Sequence, residues 1–145
     1  TEGHLIADEI DGEGFSCICW PNLSNASKYE LKNRSFITPA VLHDKGVKVA
    51  IMTDNPVIPT SHLPICAGLA HRSGLDEMEA LKAITINSAE ITGISDRVGS
   101  LEVGKDGDVV IWTKNPIKDI DNEAAYTIID GKVVYELGKD QKVNF

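Results

Sequence analysis

Residues 46–59 read GVKVAIMTDNPVIP, and this stretch decides the fold. The run from Val47 to Thr53 is apolar, rich in β-branched residues and bounded by Gly46 and an Asn-Pro turn. This pattern is typical of a strand covered on both faces. Asp54 then stands at the carboxyl end, the edge where parallel sheets and barrels bind ligands. Its carboxylate is a candidate metal ligand or base, although Asp before Asn-Pro equally suits a side chain that caps the turn.

The flanking sequence predicts alternating strands and helices. A strand is expected over residues 15–20, and residues 24–32 read as polar loop or short helix. Helical spacing of apolar residues predicts helices over residues 4–10, 63–73 and 77–92, the last interrupted at Asn87-Ser88. Start and stop signals predict a further helix over residues 39–45. This order is the rhythm of βα units with parallel strands. Two such strands are too few to close a barrel, which indicates an incomplete fold.

Capping signals set the expected helix ends. Thr38 is predicted to cap the helix that begins at Pro39. Asp76 is predicted to cap the helix that follows it, with Glu79 reaching back in a capping box. The buried stripe of that helix is expected to consist of Met78, Leu81 and Ile84.

The sequence pattern changes after Gly93: the helical spacing of apolar residues stops, and glycines separate short segments. Strands are predicted over residues 108–112, 126–129 and 132–135, and the last two are joined by Asp130-Gly131, a strong hairpin signal. We therefore place a boundary near Ser95, with residues 1–94 in one domain and residues 95–145 in part of a small β domain. Three antiparallel strands leave an apolar edge, so this piece is expected to complete a sheet supplied from elsewhere.

Composition and charge argue against several classes of binding partner and site. The net charge of -8 and pI of about 4.9 argue against a surface for nucleic acid or anionic membrane. No apolar run approaches the ~20 residues of a membrane span, and no signal peptide is evident, so a cytoplasmic protein is expected. The three cysteines match no zinc or disulfide framework and are expected to be buried apolar residues. The start at Thr1 rather than Met suggests a fragment or processed product.

The other motifs are weaker signals of a binding or catalytic site. Residues 99–105, GSLEVGK, satisfy half of a phosphate-binding loop, but Asp106 replaces the hydroxyl residue and a strand follows instead of a helix. A glycine-built turn is the better interpretation. No pair of histidines has metal-ligand spacing. His62, which follows the Asp54 loop, and His4, near the start, are candidates to line a pocket.

Four stretches in order resemble the carboxy-terminal part of the amidohydrolase superfamily, closest to its imidazolonepropionase-like and prolidase-like branch. Residues 1–9, TEGHLIADE, resemble the segment after the sixth barrel strand, and residues 49–57, VAIMTDNPV, resemble the eighth strand with its aspartate. Residues 79–90, EALKAITINSAE, resemble the helix after the barrel, with Ser88 where proline is usual. Residues 99–108, GSLEVGKDGD, resemble the entry into the small β domain, and residues 130–134 fit its last hairpin.

The resemblance implies an α/β fold in which this chain forms the last βα units of a (β/α)₈ TIM-type barrel plus strands of a small β domain. It implies one or two divalent metal ions, commonly zinc, with Asp54 as a metal ligand and as the base that takes a proton from water and delivers it to the leaving nitrogen. The substrate would be a small molecule with a scissile carbon-nitrogen bond: a cyclic amide, an amidine-like ring or a dipeptide. His62, His4 and Lys28 would be pocket residues.

The family's remaining metal ligands would precede Thr1, so this piece alone is expected to be inactive and to pair with the missing amino-terminal part of the same chain, or with copies of itself through its sheet edges. An alternative stays open: a self-standing, non-catalytic α/β subunit for binding or structure.

Overall fold

A computed structural model describes residues 2–20, 23 and 29–139 of the chain. Two short 3₁₀ turns, Gly3–Ile6 and Tyr29–Leu31, precede the second helix, and a third, Thr60–His62, leads into the third helix. The described residues form five helices: α1 (Ala7–Gly12), α2 (Thr38–Asp44), α3 (Leu63–Arg72), α4 (Glu77–Ala83) and α5 (Ile86–Ile91). They form five strands: β1 (Cys17–Cys19), β2 (Val49–Ile51), β3 (Val109–Trp112), β4 (Ala124–Ile129) and β5 (Lys132–Glu136).

The strands β1 and β2 form a parallel pair, as the alternating pattern predicted. Cys17 lies opposite Val49 and Cys19 opposite Ile51, and α2 lies in the connection between the two strands. All three residues of β2 are buried, in agreement with the prediction from its apolar run. The two strands end at the same edge, so the residues that follow them are neighbours across that edge.

Alternate strand residues face opposite sides of this pair. Cys19, Val49 and Ile51 belong to the main apolar core, which they form with side chains from the helices, among them Ala40, Leu42, Cys66, Ala67, Ala70, Ala80 and Ala83. On the alternate positions, Ile18 is 47% exposed and Met52 is 37% exposed. The strand pair is therefore packed against helices on one face. On the other face Ile18 and Met52 are open, while Ala50 beside them is buried at 1% exposure.

The cap predicted for α2 is wrong. The N-cap residue is Ile37, no side chain caps this helix, and Thr38 lies inside its first turn with Pro39. The Thr38 hydroxyl instead contacts the His4 ring, 2.8 Å away. The predicted stop is confirmed, because Gly46 follows the helix with a φ of +94°, a conformation that glycine adopts without a Cβ penalty.

Asp76 caps α4 as predicted, accepting hydrogen bonds from the backbone N–H groups of Met78 and Glu79 at 2.8 and 3.3 Å. The reciprocal bond from Glu79 is not formed, because its carboxylate pairs with Lys82 at 2.7 Å. The predicted stripe is also wrong at Met78, which is exposed. The fully buried residues of α4 are the small side chains Ala80 and Ala83, while Leu81 and Ile84 are partly buried.

The helix break lies earlier than predicted. The chain leaves α4 after Ala83 and begins α5 at Ile86, so Asn87 and Ser88 are inside a helix rather than between two. The Asn87 side chain points to the strand pair and donates a hydrogen bond from Nδ2 to the Val49 carbonyl at 2.9 Å. The interruption predicted at residues 87–88 is therefore wrong, and Asn87 instead holds α5 against β2.

The second sheet is antiparallel in the order β3-β4-β5. Its hairpin turn at Asp130-Gly131 is confirmed: both residues have positive φ, +51° and +72°, as the tight hairpin turn requires. The turn packs on Gly107, whose carbonyl accepts a hydrogen bond from the Gly131 N–H at 2.9 Å. In β3, which forms one edge of this sheet, Val110 and Ile111 are exposed.

The segment after β3 holds this sheet against the helices. Ile117 is buried at 8% exposure, and its carbonyl comes so close to Gly68 of α3 that a Cβ there would lie 2.4 Å from the oxygen. Asn115 donates from Nδ2 to a Glu77 carboxylate oxygen at 2.7 Å, and Lys118 pairs with the other. Beside this contact, an apolar groove of about 660 Å³ runs between α3–α5 and β3.

Candidate active-site edge

Asp54 lies three residues beyond the end of β2, in a turn over residues 54–57. Its φ is +53°, in the left-handed region that Asp tolerates better than most residues, so the chain leaves the strand direction abruptly at this point. The backbone closes the turn, since the Val57 N–H donates to the Asp54 carbonyl at 2.8 Å. Thr53 before it is buried, whereas Asp54 is exposed.

In the described part of the chain, the carboxylate of Asp54 has no partner. Within residues 2–20, 23 and 29–139, no hydrogen bond or ion pair engages its side chain. The turn therefore does not need the carboxylate, which answers the simplest alternative reading of an Asp before Asn-Pro. An exposed, unpaired carboxylate at the carboxyl end of a buried parallel strand is chemically available to a cation or to a proton.

Trp20 follows β1 at the same edge and was missed by the sequence analysis. Its indole N–H is buried, and none of the described residues accepts a hydrogen bond from it. It lines a small cavity of about 20 Å³ together with Cys19, Ile51, Phe36 and Pro39, among other residues. The only sequence signal was its place directly after a strand in parallel order, where side chains face the ligand-binding edge.

The other predicted pocket residues are placed as follows. His62 ends the 3₁₀ turn before α3 and is partly buried, with its Nδ1 3.3 Å from the Ser61 hydroxyl oxygen. His4 lies in the first 3₁₀ turn, with Nδ1 2.8 Å from Thr38 Oγ1. Among the described residues, no hydrogen bond joins either histidine to Asp54. Lys28 lies outside the described residues.

The metal-ligand inventory of this chain is small. In the part of the chain that the structure describes, no group of three or more His, Cys, Asp or Glu side chains could hold a metal ion. Asp54 fits one oxygen ligand of a divalent-metal site, because its carboxylate is exposed and unpaired. Among the described residues, Asp54 is therefore a candidate for one such ligand and does not form a complete site.

The cysteines are poor nucleophiles. Burial raises the pKa of the Cys19 thiol to about 12, with a smaller contribution from neighbouring Cys17. Burial also raises the pKa values of Cys17 and Cys66. Since the thiolate is the reactive form, these residues behave as small apolar side chains, in agreement with the sequence analysis.

The glycine-rich stretch is a turn, as predicted. Lys105 donates to the Ser100 hydroxyl at 2.5 Å and lies 3.3 Å from a Glu102 carboxylate oxygen, so its ammonium group is engaged within the loop. The chain then enters β3 at Val109. A phosphate cradle would need a helix N-terminus at this point, and the chain provides a strand.

Comparison with known proteins decides the family. The model of the amidohydrolase family matches residues 9–134. The chain belongs to the amidohydrolase family.

One curated relative and two solved structures show how similar this amidohydrolase chain is to known proteins. It is 42% identical over 106 residues to the imidazolonepropionase of Geobacillus kaustophilus, a match that covers 68% of this chain and 25% of that enzyme. A crystal structure of an amidohydrolase from Thermotoga maritima superposes with a TM-score of 0.89 at 37% identity, covering 94% of this chain and 35% of the other. A Xaa-Pro dipeptidase structure with bound methionine is 32% identical, with a TM-score of 0.60, over 70% of this chain and 25% of the other.

The amidohydrolase chain therefore spans about a quarter to a third of the length of these relatives. Its mixed α/β arrangement is similar to that of amidohydrolase structures, a family of the TIM-barrel superfamily. The family is one of hydrolases that act on carbon-nitrogen bonds and generally use divalent metal ions. Within the described ranges, no helix has the length and apolar character that crossing a bilayer requires.

Proposed function

We propose that this chain is the carboxy-terminal part of a metal-dependent hydrolase in which Asp54 is both a metal ligand and the general acid and base. The observation that carries the proposal is the free Asp54 carboxylate at the carboxyl end of a buried parallel strand, in a chain that matches the amidohydrolase model over residues 9–134. In this assignment residues 1–94 supply the last two barrel strands, β1 and β2. Residues 95–145 supply three strands of a small β domain.

The role of Asp54 follows from its position. A divalent metal ion, zinc in our proposal, would lower the pKa of a coordinated water toward ~7. Asp54 would hold this ion through one carboxylate oxygen. Its carboxylate would also take the proton from the attacking water and deliver it to the leaving nitrogen as the carbon-nitrogen bond breaks. The exposed turn at residues 54–57 leaves the carboxylate free to make this transfer, because the backbone alone closes the turn.

We propose a cyclic amide of the imidazolone type as the substrate. The support is the 42% identity to an imidazolonepropionase, a higher figure than the 32% identity to the Xaa-Pro dipeptidase. The dipeptidase likeness, which covers 70% of this chain, makes an Xaa-Pro dipeptide the second candidate.

The remainder of the enzyme is the partner that the open surfaces require. The apolar face with Ile18 and Met52, the edge of β3, and the groove of about 660 Å³ are all unusual on the outside of a protein. The likeness of the whole described arrangement to one third of the Thermotoga maritima amidohydrolase supports the proposal that the other two thirds of such a chain cover them. Pairing with further copies through these edges is the competing outcome.

The test is a chimaera in which this chain replaces the matching segment of the Geobacillus kaustophilus imidazolonepropionase. It should hydrolyse imidazolonepropionate and bind zinc stoichiometrically, measured by metal analysis of the purified protein. Asp54→Asn should lower kcat by ~10²-fold or more, since general acid-base catalysis contributes 10²–10⁴-fold. The matched control is Asp44→Asn, an exposed carboxylate at the end of α2, which should leave kcat within twofold.

Activity of Asp54→Asn within tenfold of the wild-type chimaera would show that Asp54 is not the acid-base group. An inactive, folded wild-type chimaera, together with cooperative unfolding of the isolated 145-residue chain, would favour the self-standing, non-catalytic subunit.

A further inference from the structure

Two side chains at the start of the chain reach the connection between β1 and α2. The Glu2 carboxylate accepts a hydrogen bond from the Asn33 backbone N–H at 2.8 Å. The His4 ring forms a hydrogen bond with the Thr38 hydroxyl at 2.8 Å. The two contacts bridge 31 and 34 residues of sequence and lie five residues apart on the connection. They therefore hold residues 29–38, the described part of this connection with the first residue of α2, at two points: in the middle at Asn33 and at the end at Thr38.

The contact at Thr38 is the more sheltered of the two. Thr38 is 2% exposed, so its hydrogen bond with the His4 ring is shielded from water. The 3₁₀ turn that carries His4 also packs against α2: a Cβ on Gly3 would lie 3.4 Å from Leu42 Cδ1. The backbone contact at Gly3 and the side-chain hydrogen bond of His4 thus both hold this 3₁₀ turn against α2.

The fastened connection reaches the candidate site. Phe36 and Pro39, just before and just after Thr38, line the small cavity that Ile51 and Trp20 also line. Ile51 is the last residue of β2 and lies three residues before Asp54, while Trp20 follows β1 at the same edge. A shift of residues 29–38 would therefore be felt at the carboxyl ends of both strands.

We propose that Glu2 and His4 are positioning residues for the hydrolase reaction: together they latch residues 29–38 in place and so hold one wall of the Asp54 edge. This positioning role rests on the proposed function, because the proposed function places the substrate at the Asp54 edge. Neither residue exchanges a proton or binds the metal in this role. Their loss acts through the connection, and so it weakens substrate binding more than it slows the chemical step.

Each contact has a matched pair of variants. Glu2→Leu removes the acceptor for the Asn33 N–H, whereas Glu2→Gln retains an amide oxygen in its place. Thr38→Val removes the hydroxyl with little change in shape, whereas Thr38→Ser retains it. Hydrogen exchange of the 145-residue protein, read by mass spectrometry over residues 29–38, should be at least fivefold faster in Glu2→Leu and Thr38→Val. Exchange in Glu2→Gln and Thr38→Ser should stay within twofold of wild type.

In the chimaera, Glu2→Leu and Thr38→Val should raise KM at least fivefold and change kcat less than threefold, and the Gln and Ser variants should restore KM. Unchanged exchange in Glu2→Leu and Thr38→Val would overturn the latch. An active chimaera in which neither Glu2→Leu nor Thr38→Val changes KM would also overturn the latch, and that result would leave the role of Asp54 intact. An inactive wild-type chimaera would overturn the proposed function and the catalytic role of the latch with it.

Discussion

Replacing Gly68 by alanine tests how the second sheet is held against the helices. Gly68 lies in α3, where its missing side chain lets the Ile117 backbone approach closely. A Cβ at Gly68 would lie 2.4 Å from the Ile117 carbonyl oxygen, whereas real Cβ contacts almost never fall below 3.0 Å. The carbonyl must therefore withdraw by about 0.6 Å or more, and because it belongs to the backbone it cannot rotate away as a flexible side chain would.

The magnitude follows from two opposing effects. Overpacking of a well-packed contact costs about 1–3 kcal/mol, and withdrawal of the segment also exposes part of Ile117, a buried side chain worth up to ~3 kcal/mol. Alanine in a helix is favoured over glycine by about 1 kcal/mol. We expect Gly68→Ala to lower the free energy of unfolding by about 1–2 kcal/mol. Gly12→Ala, at the end of α1 with no atom within 4 Å of the new Cβ, is the matched control and should be neutral or slightly stabilising.

The assay is urea unfolding followed by tryptophan fluorescence. Trp112 lines a groove together with Gly68 and Ile117, so its emission also reports displacement of the segment in the native state. The reasoning fails if Gly68→Ala is as stable as wild type or more stable while Gly12→Ala behaves as expected. In that case the contact between Ile117 and α3 would not hold the sheet in solution.

Three further outcomes are expected. Asn87→Leu removes the donor to the buried Val49 carbonyl and should cost about 1–3 kcal/mol in urea unfolding; a loss under 0.5 kcal/mol would mean that this bond does not hold α5 on β2. Hydrogen bonding to Lys118 is the main cause that lowers the pKa of Glu77 from its ordinary 4.5, so this stabilisation is complete above pH 4.5 and disappears as the pH falls through the folded-state pKa. The acid unfolding profile of Glu77→Gln should therefore be flatter below pH 4.5, and a profile parallel to wild type would contradict this. Cys19, with a pKa of about 12, should react with iodoacetamide at pH 8 roughly 10³-fold more slowly in the native protein than in urea, as followed by mass spectrometry.

Local sequence signals predicted the elements whose ends depend on backbone geometry. Gly46 after α2 and Asp130-Gly131 in the last hairpin need positive φ, and few residue types tolerate it, so the residue type alone marks the position. The parallel pairing of β1 and β2 was also predictable, because a helical segment separates two apolar strands. These features require no knowledge of distant neighbours.

Features that depend on distant partners could not be read from the sequence. Thr38 has the chemistry of a helix cap, but its hydroxyl forms a hydrogen bond with His4, 34 residues away. Glu79 has the spacing of a capping box, but Lys82 pairs with its carboxylate. Met78 has the spacing of a core residue, yet the helices approach through alanines instead. In each case a tertiary contact overrides a correct local preference.

The candidate site shows the same division. The end of an apolar strand predicted where Asp54 lies, but only the structure distinguishes a carboxylate used by its own turn from one left free. The strand that presents it is fixed from two sides: β1 pairs along one edge, with the Lys48 carbonyl accepting from Cys17 and the Met52 N–H donating to the Cys19 carbonyl. Alternate residues of a strand direct their backbone groups to opposite edges, so the Val49 carbonyl points away from β1, and Asn87 binds it there. Helix α5 therefore supports the outer edge of β2 five residues before Asp54. This is a physical reason for residues 79–90 and the Asp54 strand to occur together in one protein: the helix holds the strand that carries the carboxylate.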